Sequence, residues 1–213
     1  MEKNNDVALK TAEYLLQIKA IKLNLQNPFT WASGWKSPIY CDNRKTLSYP
    51  RIRTYIRQQF AELIREEFGI PDVIAGVATG AIAQGVLVAQ ELGLPFVYVR
   101  SEPKSHGLTN LIEGVVESGQ SVVVIEDLIS TGGSSLKAVE ALREVGCDVK
   151  GMAAIFTYEF PKAVDSFKKA NCRLATLSNY STLLLQAVDS KFIKESDLEH
   201  LSTWREAPEL WGK

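Results

Sequence analysis

Val122-Val123-Val124-Ile125-Glu126-Asp127-Leu128-Ile129-Ser130-Thr131-Gly132-Gly133-Ser134-Ser135 opens as a β-branched apolar run, the signature of a strand buried on both faces. Two adjacent carboxylates are expected to stop that run. A hydroxyl- and glycine-rich turn follows, and Leu136, Val139 and Leu142 then recur at helical spacing. The unit is therefore strand, acidic pair, turn, helix. Such a turn aims backbone N–H groups and hydroxyls at one point, and the helix N-terminus adds partial positive charge there. That suits a phosphate. The acidic pair cannot read phosphate; it suits hydroxyl donors, such as two ribose hydroxyls, or a hydrated metal. A Walker loop is excluded because no lysine follows Gly133, and no G-x-G-x-x-G dinucleotide motif is present.

The flanking chain alternates apolar runs with helical patterns. A first helix is expected over roughly residues 7–20, capped by Asp6, with Ala8, Ala12, Leu15 and Ile18 on one stripe. Residues 27–44, rich in Pro, Gly and aromatics, favour turns and short extended pieces; their aromatics either cover a core edge or line a pocket for a flat ligand. Pro50 opens a helix with Ile52, Ile56, Phe60 and Leu63 on its apolar face, ending at Phe68-Gly69. Val73–Val77 and Phe96–Val99 read as buried strands, and the small turn Ala78-Thr79-Gly80-Ala81 leads into a helix ending near Leu92. Gly151–Phe156 and about 173–177 are further strands. Ser181 begins a helix, and Ser196 with Glu199 is expected to form a capping box for a last one reaching Trp204. His200 falls in that last helix and reads as structural. The alternation predicts an α/β fold: a mainly parallel central sheet flanked by helices, with ligand loops beyond the C-terminal strand ends. Thr79-Gly80, Arg100 and the 126–134 stretch would converge on one cleft.

The whole-chain numbers exclude several classes. With 213 residues, 46% hydrophobic and 23% charged, the chain can bury a substantial single core. Its 24 basic and 25 acidic residues give a net charge of −1, so no electrostatic footprint for nucleic acid exists. No apolar run approaches membrane-spanning length, and residues 1–6 lack a signal-peptide core. Cys41, Cys147 and Cys172 have no metal-like spacing and read as reduced thiols, which places the protein in the cytoplasm.

The opening stretch resembles the fingerprint of the phosphoribosyltransferases, in which the acidic pair takes ribose hydroxyls and the loop takes the 5′-phosphate. Within residues 29–44, Phe29-Thr30, Ser33-Gly34, Lys36-Ser37-Pro38, Tyr40 and Asp42-x-Arg44 resemble the N-terminal hood segment of orotate phosphoribosyltransferases. Arg100-x-x-x-Lys104-x-His106-Gly107 is similar to the mobile catalytic loop of that family. The resemblance, of type I, covers nearly the whole chain. It implies one domain over residues 1–213, with a hood from about 1–48 joined by C-terminal elements and a core of about 50–180.

The resemblance also implies a set of site residues. Lys104 and His106 are the catalytic candidates. Thr79, Gly80, Arg100, Lys104, His106, Glu126, Asp127 and the run Leu128, Ile129, Ser130, Thr131, Gly132, Gly133 and Ser134 would bind phosphoribosyl pyrophosphate. Ser130, Tyr40 and Lys36 would contact orotate. Mg²⁺ is the implied cofactor, held mainly by substrate oxygens and water rather than by direct protein ligands. A homodimer sharing the 100–110 loop across subunits is implied as well. The chain departs from many members at Ala32, where they carry a substrate-contacting lysine, and at Ser101, where a second loop lysine stands, and from enteric relatives at Tyr158, the register position of their carboxylate-pairing arginine. Two alternatives are a purine phosphoribosyltransferase, disfavoured by Ser130 where hypoxanthine-type relatives place an aspartate, and a ligand-sensing regulator on the same fold, disfavoured by the short N-terminal segment and near-zero charge.

Overall fold

The computed structural model describes residues 2–102 and 111–211. Helix α1 (Glu2–Gln17) is followed by four short strands, β1 (Ile21–Leu23), β2 (Phe29–Thr30), β3 (Lys36–Ser37) and β4 (Ile39–Cys41), and by a 3-10 turn over Asn43–Ser48. β1 pairs antiparallel with β4, and β2 with β3, so this segment forms two small ribbons. The core then runs α2 (Pro50–Phe68), β5 (Val73–Val77), α3 (Ile82–Leu92), β6 (Phe96–Val99), β7 (Ile112–Glu113), β8 (Ser121–Ile129), α4 (Gly133–Glu144), β9 (Asp148–Thr157), α5 (Pro161–Lys169), β10 (Leu174–Asn179), α6 (Tyr180–Asp189) and α7 (Leu198–Glu206).

Among the described residues the main sheet has six strands in the order β10-β9-β8-β5-β6-β7, parallel throughout except for the edge pair β6–β7. Every residue of β5 is buried, as a central strand covered on both faces requires. From β5 the chain crosses to β6 on one side; from β8 it crosses to β9 on the other. Right-handed crossovers then put α3 and α4 on opposite faces. The reversal between adjacent β5 and β8 opens a crevice beyond their C-terminal ends. The turn 78–81 and the turn 130–132 border that crevice.

Three expectations need correction. Asp6 does not cap α1 but lies inside it, because the helix begins at Glu2. The acidic pair does not stop β8: the ladder runs on through Glu126↔Ala154 and Leu128↔Phe156 to Ile129↔Thr157, because β9 offers a partner that far and the Glu126 carboxyl finds its own hydrogen bonds. At the last helix no Ser196 capping box forms; the Asp197 carboxylate instead accepts the Lys194 backbone N–H at 2.9 Å. Helix α5, with Pro161 in its first turn and Ala163 and Phe167 buried, was not among the expected elements.

The ribbons are fixed to the C-terminal half by aromatic rings. Trp31 lies 5.2 Å from Tyr158 and meets Trp204 edge-on at 5.7 Å; Trp204 also touches Phe160 at 5.3 Å and Tyr180 at 5.3 Å. Trp204 is fully buried. Trp204→Ala should therefore cost about 3–5 kcal/mol of stability. Urea unfolding checks this: a lower midpoint at an unchanged slope is expected.

Candidate functional site

β8 brings the acidic pair into the crevice. Glu126 is buried, with Oε2 accepting from the Ser135 hydroxyl at 2.8 Å and Oε1 accepting from the Asp127 backbone N–H at 3.0 Å. Burial, and then the neighbouring Asp127 charge, push the Glu126 carboxyl up to about 8, so it holds a proton at neutral pH. Burial also raises Asp127, against the opposing hydrogen bond of Glu126 and the Arg44 charge. The pair thus offers both a donor and acceptors, as two hydroxyls of a sugar require.

The turn 130–132 and the first turn of α4 follow. Gly132 sits at φ +81°, and a Cβ there would lie 2.9 Å from the Phe167 ring, so backbone and packing both demand glycine. Gly133 and Ser134 are exposed at the start of α4, a helix of 12 residues, where the N–H groups of a first turn suit an anion. Thr131 and Ser130 are half-buried beside them. Ile129 is different. Its side chain is fully buried in the core and its carbonyl accepts the Tyr158 N–H at 3.1 Å, so its side chain has no part in any ligand contact.

The turn 78–81 touches the acidic pair directly. A Cβ on Gly80 would come within 2.6 Å of the Asp127 carboxylate, so glycine is what lets the two strand ends close on each other. Thr79 is exposed and, with Ala78, Ile82, Tyr98 and Arg100, lines a cavity of about 330 Å³. The Arg100 guanidinium stands 3.4 Å from the Glu113 carboxylate, and its backbone N–H donates to Leu111 O at 2.8 Å. β6 and β7 therefore hold the two stems of the connection between them. Lys104 and His106 lie outside the described residues.

A second cavity, of about 300 Å³, opens on the other side of the acidic pair. Leu128 and Ser130 form its floor; Thr30, Trp31, Ala32, Tyr40 and Cys41 come from the ribbons, and Tyr158 from the end of β9. Its walls carry aromatic rings, hydroxyls and a thiol, and no Lys or Arg among the described residues. Burial holds the Cys41 thiol and the Tyr158 phenol well above their ordinary values, so both stay protonated donors. Lys36 does not line this cavity, but the pairing Thr30↔Lys36 places its Nζ 2.8 Å from Thr30 Oγ1. Trp31, Cys41 and Tyr158 are wall residues that periodicity could not identify. The aromatic density of residues 27–44 hinted at Trp31 and its neighbour Cys41, and the family register at Tyr158.

Among the described residues no group of three or more His, Cys, Asp or Glu could hold a metal ion. The donor set is one acidic pair in which Glu126 keeps its proton. That pair fits a hydrated Mg²⁺ delivered on ligand oxygens better than a cage of protein ligands. No helix among the described residues is long and apolar enough to cross a membrane.

Comparison with known proteins agrees with this geometry. Residues 47–180 match the phosphoribosyl transferase domain family. An orotate phosphoribosyltransferase of Phocaeicola vulgatus is 62% identical over 200 residues, covering 94% of each chain. The fold is similar to that of Leishmania donovani UMP synthase, with a TM-score of 0.76 and 26% identity, over 92% of this chain and 42% of the synthase. It is also similar to orotate phosphoribosyltransferase from Aeropyrum pernix, with a TM-score of 0.73 and 28% identity, over 82% of this chain and 96% of that one.

The raised Glu126 carboxyl makes stability depend on pH. Between the ordinary value of 4.5 and about 8, the folded protein keeps this proton while the unfolded chain loses it. Raising the pH through that window therefore removes stability that is fully present below it. Glu126→Gln has no proton to lose there. The difference in Tm, variant minus parent, should be flat below pH 4.5 and grow in the variant's favour toward pH 8. A constant difference across the window, in scanning calorimetry, would contradict the assignment.

Proposed function

This chain belongs to the orotate phosphoribosyltransferases, and from that membership we propose how its site carries out the reaction. The enzyme transfers the phosphoribosyl group of 5-phosphoribosyl-1-pyrophosphate to orotate, giving orotidine 5′-monophosphate and pyrophosphate, a step of pyrimidine biosynthesis. One observation carries the site reading. β8 and its turn face two compartments at once, because Leu128 and Ser130 floor the neutral cavity while Glu126 and Asp127 stand at the crevice. A ring in the cavity and a ribose on the carboxylates would then be neighbours.

In this reading the ribose hydroxyls meet Glu126 and Asp127, and the 5′-phosphate rests on the N–H groups and hydroxyls of residues 130–134. Hydroxyl donors and a nearby cation would favour the ionised form of Glu126, so sugar binding draws its proton off. Thr79, the Gly80 backbone and Arg100 take the pyrophosphate. Lys104 and His106 close over it as negative charge builds on the leaving group. Lysine supplies a compact charge and histidine a proton that can move near neutral pH. Mg²⁺, carried on substrate oxygens and water, supplies further charge neutralisation when bound. The anomeric carbon passes through a cation-like state, so catalysis rests on charge placement and exclusion of water rather than on covalent chemistry. We place the enzyme in the cytoplasm as a homodimer that shares the 100–110 loop.

The orotate carboxylate enters a cavity whose described walls hold no cation. Lys36 donates to Thr30 Oγ1, which leaves the Thr30 proton free to point into the cavity, backed by positive charge. This is the substitute for the lysine replaced by Ala32. Ultraviolet assay of orotate consumption, with hypoxanthine and adenine as competitors, tests the activity. In the same assay Lys36→Met should raise the orotate KM about tenfold with kcat nearly kept, the scale of one hydrogen bond to a charged group. An unchanged KM would remove Lys36 from the site.

Lys104→Ala should lower kcat on the order of a hundredfold, as loss of one transition-state donor does. His106→Ala should cost less, since water replaces part of its role. Mixing Lys104→Ala with Asp127→Asn protein should restore activity if the loop serves the neighbouring subunit. No restoration, with subunit exchange confirmed by mass, would mean that each site is complete within one chain.

A further inference from the structure

We propose that Asn43 is a positioning residue that sets the spacing between the ring cavity and the ribose carboxylates, and thereby decides whether the anomeric carbon meets the ring nitrogen or water. The proposal rests on the cavity being the orotate site. Asn43 is 1% exposed, in the turn that follows β4. Its Nδ2 donates to the backbone carbonyl of Asp127 at 2.6 Å, across 84 residues of chain. A carbonyl only accepts, so this bond fixes the amide's orientation and turns Oδ1 the other way. There Oδ1 accepts from the Cys41 thiol at 3.2 Å, and Cys41 is a wall of the ring cavity. One buried amide therefore spans from the cavity wall to the residue that presents the ribose carboxylate.

The backbone that carries the amide is itself held in place. Thr46 Oγ1 donates to the Asn43 backbone carbonyl at 2.6 Å, and Gln84 Nε2 donates to Thr46 Oγ1 at 3.0 Å. Gln84 lies in the first turn of α3, directly after the turn 78–81. The chain of bonds thus joins three walls of the site: the ribbons, β8, and the helix behind the pyrophosphate turn. Gln84 and Thr46 are both buried. In low dielectric such bonds polarise one another, and each is costly to break singly.

Spacing matters here because transfer joins two bound molecules. The ring nitrogen forms a bond to the anomeric carbon and gives up its proton as the C–O bond to pyrophosphate breaks, the electron pair of that bond leaving on pyrophosphate. Water can take the nitrogen's place, giving ribose 5-phosphate and releasing one proton. The first outcome needs the two compartments in register; the second does not. Displacing reactants by about 1 Å can cost on the order of a hundredfold in rate.

The ratio of orotidine 5′-monophosphate to ribose 5-phosphate formed, at saturating substrates, tests this. It does not depend on how much of a variant is folded. Asn43→Ala should lower the ratio at least tenfold, mostly by lowering kcat for transfer. Cys41→Ala, which leaves the Asp127 bond intact, should lower it less, and Cys41→Ser, which keeps a donor toward Oδ1, should bring it back toward the parent value. If Asn43→Ala does not fold, the Cys41 pair decides alone. An unchanged ratio in folded Asn43→Ala, or equal ratios in Cys41→Ala and Cys41→Ser, would overturn the proposal. Failure of the parent enzyme to consume orotate would instead remove the cavity assignment on which it stands.

Discussion

Two adjacent carboxyl groups inside a buried parallel strand are the constraint to which the rest of the site adjusts. A strand in the middle of a sheet has no water to offer an ionised side chain, and burial of an unpaired carboxylate is costly. The chain answers with a proton on Glu126, the Ser135 hydroxyl on one oxygen, and a backbone N–H on the other. Ser135 can reach only because α4 starts immediately after the turn, and the turn can be that tight only because Gly132 takes a positive φ. Asp127, next to it, needs room, and Gly80 supplies it. The turn 130–132 and the turn 78–81 are thus both shaped around the same pair.

The sheet topology makes this local arrangement useful. β5 and β8 are neighbours whose connections leave in opposite directions, so the turns that follow them separate into the two lips of one crevice. Loops on such a frame can vary while their starting points stay fixed. The ribbons of residues 21–41 then close the third side, held by aromatic rings and not by sheet hydrogen bonds to the core. That difference in attachment lets the ribbon residues that wall the cavity, such as Ala32, vary without disturbing the ladder.

Much of this was legible in the sequence, for identifiable reasons. Val73–Val77 and Phe96–Val99 coincide with β5 and β6 because apolar runs bounded by Pro, Asp and Gly leave little freedom. α2 was readable from Pro50 to Phe68 because its face repeats at 3.6 residues. The acidic pair was found by its neighbours, yet its effect on the strand was misjudged, since a carboxylate stops a strand only where nothing satisfies it. α5 did carry a signal, Pro161 at its start and Ala163 and Phe167 four residues apart on its buried face, but over nine residues it is easily taken for a loop between strands. The ring cavity draws on Thr30, Cys41, Ser130 and Tyr158, which are close in space and far apart in sequence. No periodicity records where a ribbon folds back, and the Asn43 amide, joined to Asp127 across 84 residues, has no local signature at all.

The aromatic joint has a consequence in optics. Of the four tryptophans in the chain, Trp31 lines the cavity and touches the fully buried Trp204. Trp35 lies 6.5 Å from Trp31 in a stacked arrangement. Rings at these separations pack as aromatic neighbours, and a flat conjugated ligand in the cavity would join them as one more ring. The contact that fastens the ribbons to the core would then also make tryptophan emission a readout of what the cavity holds.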